Sequence, residues 1–119
     1  MRPEEQLHRA VVQLLMLYAN RGLLAFAHVP NGGRRTRAEA GVLKAMGTTS
    51  GVPDLLIWLP SGGHFQIELK AGTGRLSAHQ AAWINRMSDM GVTVHVIRSL
   101  DGLEALLRAE GVPAVGMLN

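Results

Sequence analysis

The chain of 119 residues has no cysteine and only five aromatic residues, two Trp, one Tyr and two Phe. Without cysteine there is no disulfide, thiolate metal site or cysteine nucleophile, which is compatible with a reducing cytoplasm. So few aromatic side chains argue against binding single strands through stacked bases. No apolar run approaches the roughly 18 residues of a membrane helix, and the first residues do not resemble a signal peptide. We therefore expect a cytoplasmic protein without a membrane partner.

Acidic residues are also few, with nine Asp and Glu against twelve Lys and Arg, for a formal net charge of +3. Ten of the twelve cations are arginine, whose planar guanidinium matches phosphate. The positive charge favours a polyanionic partner, although a GC-rich genome would also produce an arginine-rich composition. Because 47% of the residues are hydrophobic, the length supports one folded domain over residues 1–119.

Hydrophobic periodicity and turn residues predict four helices and four strands. The helices are expected at 4–20, 37–46, 77–90 and 101–110, and the strands at 23–29, 54–59, 64–70 and 92–97. Ser77 is the expected N-cap of the third helix, and Asp101 and Glu104 have capping-box spacing in the fourth. This order predicts an α/β fold, with a mixed four-stranded sheet flanked by helices.

The segment 54–70 predicts a hairpin that brings two acids together. If its turn is centred on Ser61, Asp54 and Glu68 lie equally far from the centre and face each other. Lys70 shares their side of the sheet, because it lies two residues beyond Glu68. Two close carboxylates repel each other, and Mg²⁺ or Mn²⁺ would relieve this repulsion. A register slip of one residue would separate the two acids.

Pro53-Asp54 followed by Glu68-Leu69-Lys70 resembles the signature of the PD-(D/E)XK nucleases, which have a restriction-endonuclease-like core. Longer stretches make the resemblance more specific, namely HVPNGG at 28–33, GVPDL at 51–55, IELK at 67–70 and LSAHQ at 76–80. In this order they resemble the VRR-NUC (virus-type replication-repair nuclease) family in its stand-alone phage and bacterial form. The resemblance covers nearly the whole chain and implies metal-dependent hydrolysis of DNA phosphodiester bonds.

The resemblance also implies roles for individual residues. Asp54 and Glu68 match the metal-binding acids, and the main-chain carbonyl of Leu69 would be a further ligand for Mg²⁺ or Mn²⁺. Lys70 matches the catalytic lysine, and a lysine beside a metal can orient or deprotonate an attacking water. As separate residues, Asp54 could be a turn residue, and Glu68 and Lys70 a solvated strand face.

Two further matches leave alternatives open. Gln80 matches the family's glutamine, but its spacing from Ser77 also fits a capping box in which it only returns to the helix end. The family's acid on the first helix is Glu4 or Glu5. Glu4 continues the apolar stripe that faces the sheet, while Glu5 is about 100° away around the helix. The family pattern, Glu followed four residues later by Gln, also selects Glu4, but His8 stands at the later position and its role is open.

Several cations near the acids are candidates for phosphate contact. Arg34, Arg35 and Arg37 follow a glycine-rich turn, and Lys44 and Arg75 are weaker candidates. A solvated loop is the alternative for the arginines. Trp58 and Trp83 are expected in the core. The histidines at 28, 64 and 95 are expected to be structural.

The implied function is structure-selective cleavage of DNA by an endonuclease. Stand-alone members of the family resemble Holliday-junction resolvases, which implies a homodimer acting on a four-way junction, because a two-fold protein matches a two-fold substrate. The apolar tail at 112–118 either forms the dimer surface or folds back on its own domain. A non-catalytic DNA-binding module of the same fold and an RNA nuclease are the alternative functions.

Overall fold

A computed structural model of the chain describes residues 1–30 and 35–115. Within these ranges it contains four α-helices and four strands in the predicted order, which confirms the α/β class. The helices are α1 (Pro3–Asn20), α2 (Arg37–Ala45), α3 (Ala78–Asp89) and α4 (Leu100–Ala109), and the strands are β1 (Ala25–His28), β2 (Leu55–Trp58), β3 (His64–Leu69) and β4 (Val94–Ile97). The strands expected at 23–29 and 92–97 begin two residues later than predicted, at Ala25 and Val94.

The sheet is mixed, as expected, and its strands lie in the order β1-β2-β3-β4. β1, β2 and β3 pair antiparallel, and β3 pairs parallel with β4. In the central hairpin Leu55 lies opposite Ile67 and Trp58 opposite His64, which is the predicted register. The turn contains Ser61 at φ 74° and Gly62 at φ 89°. Two successive left-handed residues match the twist of the paired strands, so the turn keeps the register.

One face of the sheet carries the apolar core. Leu55, Ile57 and Ile67 are fully buried there, together with Val11 and Leu15 of α1. The core also includes buried residues of α4, namely Leu103, Leu106 and Leu107. Because side chains alternate along a strand, the even-numbered residues of β2 and β3 project to the opposite face. α3 lies on that opposite face, where its side chains bond to β3.

Near the C-terminus one expectation is wrong, and one of two open alternatives is observed. The predicted capping box of Asp101 and Glu104 is wrong, because Ser99 caps α4 and its Oγ accepts from the N–H of Gly102 at 3.0 Å. The tail folds back on its own core as far as the structure describes it. Val112 is buried, and the carbonyl of Val115 accepts from Arg21 Nη1 at 3.0 Å. Residues 116–118 of the predicted tail lie outside the described residues.

α2 contributes little to the core. Thr36 caps it by accepting from the N–H of Glu39 at 3.0 Å, but no residue of α2, all of which the structure describes, is buried.

The expectation that Trp58 is a core residue is wrong, because its side chain lies on the opposite face of the sheet and is 41% exposed. Among the described residues, no helix has both the length and the apolar character needed to cross a bilayer.

Candidate active site

Asp54 and Glu68 meet at one end of the central hairpin. Asp54 directly precedes β2, and its Oδ2 accepts from the N–H of Leu69 at 2.8 Å. Glu68 is only 4% exposed. Burial raises the pKa of Glu68 to about 8, with further contributions from the charge of Asp54 and from a side-chain hydrogen bond to it. Near neutral pH, this acid pair therefore keeps a proton or needs a cation in its place.

Gln80 completes the capping box that its spacing from Ser77 allowed, and its side chain also contacts Glu68. Its side-chain Oε1 accepts from the main-chain N–H of Ser77 at 2.8 Å. The main-chain N–H of Gln80 donates to Ser77 Oγ at 3.1 Å, which completes the capping box. Its Nε2 donates to Glu68 Oε1 at 3.1 Å. Since an amide carries both a donor and an acceptor, one side chain caps the N-terminus of α3 and also orients the buried carboxylate.

Gly51 lets the loop before β2 approach the first turn of α3. A Cβ at this position would lie 2.2 Å from the carbonyl oxygen of His79 and 3.0 Å from the amide nitrogen of Gln80. Its φ of +86° also lies in the left-handed region, which favours glycine. The motif GVPDL thus has a packing reason, because only glycine allows the backbone before Asp54 to contact the helix that carries Gln80.

These elements enclose a pocket of about 290 Å³. Asp54, Glu68 and Gln80 line it, together with the loop residues from Ser50 to Val52 and with Ser77 and His79. A second cleft of about 480 Å³ shares Ser50 with it and is lined by Arg35, Lys44 and the hydroxyl residues Thr48 and Thr49. The acid pocket and a cleft with a basic and hydroxyl-rich wall therefore adjoin each other at Ser50.

Lys70 and Glu4 act on the buried acid through their charges. Lys70 follows β3 directly, and its charge lowers the pKa of Glu68 against the larger effect of burial. The charge of Glu4, in the first turn of α1, is a smaller factor that raises it. Glu5 instead forms an ion pair with Arg9 at 3.1 Å, one turn further along α1. The helical phase that separated Glu4 from Glu5 in the sequence is thus seen in their contacts.

A pair of histidines beside Asp54 was missed by sequence reasoning. His28 Nδ1 lies 2.8 Å from the main-chain carbonyl of Asp54, and because a carbonyl only accepts, the ring donates this bond. The ring of His8 packs edge-on against His28 with centroids 4.4 Å apart. Burial lowers the pKa of His8, His28 lowers it further, and the charges of Asp54 and Glu4 oppose the shift. His28 therefore has a structural role, as expected from the sequence, because its hydrogen bond joins β1 to the loop before β2.

The candidate cations for phosphate contact do not all lie in the basic cleft. Arg35 donates from Nη2 to the carbonyl of Pro30 at 3.0 Å and lines the basic cleft together with Lys44. Arg37 begins α2 and is exposed, and Arg75 is exposed between β3 and α3. Arg34 lies outside the described residues. The structure therefore places Arg35 and Lys44 in one cleft, while Arg37 and Arg75 stand apart from it.

The donor set of the acid pocket suits a hard divalent cation. Among the described residues, no group of three His, Cys, Asp or Glu side chains is close enough to hold a metal ion. Mg²⁺ does not need such a group, because it commonly binds one or two carboxylates and completes its shell with water and substrate phosphate. The carboxylates of Asp54 and Glu68 and the carbonyl of Leu69 could supply oxygen ligands of that kind.

Comparisons with known proteins identify the family and support the fold. The family model of the VRR-NUC domain matches residues 3–101. One solved structure, described as a VRR_NUC domain protein, has a TM-score of 0.65 at 19% identity and covers 92% of this chain and 88% of its own. Another, described as a VRR_NUC domain, has a TM-score of 0.55 at 23% identity and covers 82% of this chain and 92% of its own. No curated protein sequence matches the chain.

We expect Glu68→Gln to change how the stability of the metal-free protein depends on pH. The pKa of Glu68 is about 8 in the folded protein against an ordinary 4.5. Its contribution to the free energy of unfolding is therefore full below the ordinary pKa and is lost as the pH rises towards the folded pKa. Glutamine has no such loss, so the variant should gain on the wild type from about pH 5 to about pH 8 in EDTA, measured by chemical denaturation.

Glu39→Gln, at an exposed carboxylate of α2, is the matched control and should follow the wild type at every pH. Saturating Mg²⁺ or Mn²⁺ should stabilise the wild type and have little effect on Glu68→Gln, because a bound cation replaces the proton. A stability difference between wild type and Glu68→Gln that stays constant with pH would show that Glu68 ionises as an ordinary carboxylate.

Proposed function

Because the chain belongs to the VRR-NUC family of nuclease-type domains, we propose that it is a metal-dependent DNA endonuclease that hydrolyses phosphodiester bonds. The observation that carries the proposal is the buried acid pair. Glu68 is held by Asp54 and Gln80 in a pocket whose loop residue Ser50 also lines a basic cleft. A domain that only bound DNA would gain nothing from carboxylates beside phosphate, because like charges repel.

The cation in this proposal is Mg²⁺ or Mn²⁺, held by the carboxylates of Asp54 and Glu68 and by the carbonyl of Leu69, with Glu4 as the acid from α1. When bound, the cation polarises a phosphoryl oxygen and stabilises the charge that develops on it. The N–H of Leu69 orients Asp54 through Oδ2, and the amide of Gln80 orients Glu68. Both carboxylates are thus positioned before substrate arrives, which removes a cost of reorganisation from the reaction.

Lys70 is the residue that would act on the nucleophile. Its charge reaches Glu68, and its side chain packs near Gly74 in the turn after β3. From the end of β3 it would orient a water molecule or accept its proton. The water oxygen bonds to phosphorus and gives up a proton, and the bond from phosphorus to the 3′ oxygen breaks. The departing 3′ oxygen takes a proton from solvent, so the products carry a 5′-phosphate and a 3′-hydroxyl.

The basic cleft supplies contacts to the backbone of DNA. Arg35 and Lys44 line it, and the hydroxyls of Thr48 and Thr49 add neutral donors. Arg34, Arg37 and Arg75 extend the proposed interface. Contacts of this kind position a duplex without reading its bases, so the selectivity we propose is for DNA structure.

We further propose that the enzyme is a homodimer that prefers four-way junctions. Two identical sites related by a two-fold axis can cut two equivalent strands of a two-fold junction. The described part of the tail packs on its own core, so another apolar surface is needed. α2 offers one, because Val42 and Met46 are spaced one turn apart and are 59% and 79% exposed.

Lys70→Ala should lower the cleavage rate by about 10³-fold while much of the DNA binding remains, because other cations also contact the backbone. Asp54→Asn should abolish cleavage and weaken metal binding. Asp89→Asn, the same change at the exposed end of α3, should leave cleavage unchanged. The assay uses labelled DNA and RNA duplexes with Mg²⁺, Mn²⁺ or EDTA. Wild-type turnover by either site variant would refute the assignment, as would cleavage of RNA alone or binding without cleavage.

Removing the charges of Arg35 and Arg37 together, by changing each to Gln, should weaken binding equally for all DNA sequences. The slope of log affinity against log salt should fall by roughly one unit for each lost phosphate contact. Arg108→Gln is the control, because α4 packs on the core face of the sheet, whereas the acid pocket lies on the face that carries α3. An unchanged slope in the double variant would show that the segment points away from DNA.

Sedimentation of the wild type should give the mass of a dimer, and Met46→Glu should shift it to a monomer. A charge at an apolar interface loses its water shell without gaining a partner. Met90, the C-cap residue of α3, is also 64% exposed, and Met90→Glu should leave the dimer intact. The dimer should cut a four-way junction faster than linear duplex. A monomeric wild type that nicks linear duplex equally well would contradict both parts.

A further inference from the structure

Two side chains of α3 reach β3 at matching intervals. Gln80 donates to Glu68 Oε1, and three residues later Trp83 donates from Nε1 to Oε1 of Gln66 at 2.9 Å. Residues three apart lie on the same side of a helix, and residues two apart lie on the same face of a strand. The two hydrogen bonds therefore join the same helix face to the same strand face, like neighbouring rungs of a ladder.

The second rung is oriented by His64 at its far end. His64 Nδ1 lies 2.7 Å from the carbonyl of Ile57, and since a carbonyl can only accept, Nδ1 carries the hydrogen. In a neutral imidazole Nε2 then accepts, and it lies 3.2 Å from Gln66 Nε2. The amide of Gln66 is therefore turned with its NH₂ towards His64 and its oxygen towards Trp83.

This chain of polar groups has little competition from apolar packing. None of the described residues of α3 is fully buried, whereas Gln66 is only 6% exposed. A buried amide that loses a partner costs more than the average hydrogen bond contributes, so the bonds of Gln66 constrain where α3 can sit. Trp83 belongs to this chain, so the core role expected for it from sequence is replaced by a polar contact with β3.

We propose that Trp83 and Gln66, oriented by His64, are positioning residues that hold α3 at the register where Gln80 meets the carboxylate of Glu68. They act on the site through Gln80. For its activity arm this inference rests on the proposed nuclease function. The positioning itself is a property of the folded chain and can be tested without cleavage.

Trp83→Phe keeps the aromatic packing and removes the N–H donor. We expect kcat to fall about tenfold, as is common when an outer partner of a metal-site ligand is lost, with KM for DNA unchanged. In a Gln80→Met background the same substitution should cause no further loss, because the residue through which it acts is already gone. Loss of kcat by the same factor in both backgrounds, or no loss in either, would overturn the proposal.

Trp58→Phe is the matched control. It removes the same indole donor from the other tryptophan, whose ring stacks on that of His64 with centroids 5.2 Å apart. We expect its kcat to equal that of the wild type. Thermal unfolding of all variants separates positioning from collapse of the fold, because a positioning effect on kcat persists at temperatures far below the unfolding midpoint.

The arm that does not need cleavage follows side-chain amide resonances by ¹H–¹⁵N NMR. In the wild type, the indole N–H of Trp83 and the amide protons of Gln80 should exchange slowly with solvent. Gln66→Met should speed the exchange of the Trp83 indole, and Trp83→Phe should shift the Gln80 amide resonances. If the side-chain amide resonances of Gln80 stay unchanged in both variants, the proposal is overturned. If the wild type cuts no nucleic acid, the proposed function fails and this arm still decides the positioning.

Discussion

Burial of the Glu68 carboxylate is the constraint on which the rest of the structure depends. A buried charge without partners is costly, so every group around Glu68 must either neutralise it or bond to it. Asp54 shares a hydrogen bond, Gln80 donates from α3, and the charge of Lys70 acts from the strand end. The same arrangement leaves a pocket whose oxygen atoms suit a divalent cation. In the proposed function, such a cation would also offset the cost of burying the charge of Glu68.

The two faces of the sheet divide the work between stability and chemistry. On one face α1 and α4 bury an apolar core that includes Leu15, Ile67 and Leu107. The other face carries the even-numbered polar residues of β3, and α3 is attached to it by hydrogen bonds. A polar face of this kind would not hold a fold together by itself, because each bond adds only about 1 kcal/mol net. The core supplies the rigidity that lets the polar face be specific.

Sequence reasoning succeeded where short-range geometry decides. The register of the hairpin followed from a symmetric turn, so the meeting of Asp54 with Glu68 could be predicted, and helical phase separated Glu4 from Glu5. It failed for Trp58, whose side chain is largely apolar but 41% exposed on the sheet face opposite the core. It also failed for the cap of α4, because Ser99 and not Asp101 caps the helix. The exposure of Trp58 depends on what neighbouring elements cover, whereas the error at α4 lies in which residue caps the helix.

The sequence by itself determined the order of elements, the pairing of β2 with β3 and the convergence of two acids with a lysine, because alternation and turn chemistry act within about twenty residues. Only the tertiary structure decided the rest. The approach of Gly51 to α3, the second bond of Gln80 and the chain from His64 to Trp83 all depend on where α3 packs. The raised pKa of Glu68 follows from the burial of its side chain in the folded protein. Such contacts depend on how helices pack against a sheet, and no local pattern encodes that packing.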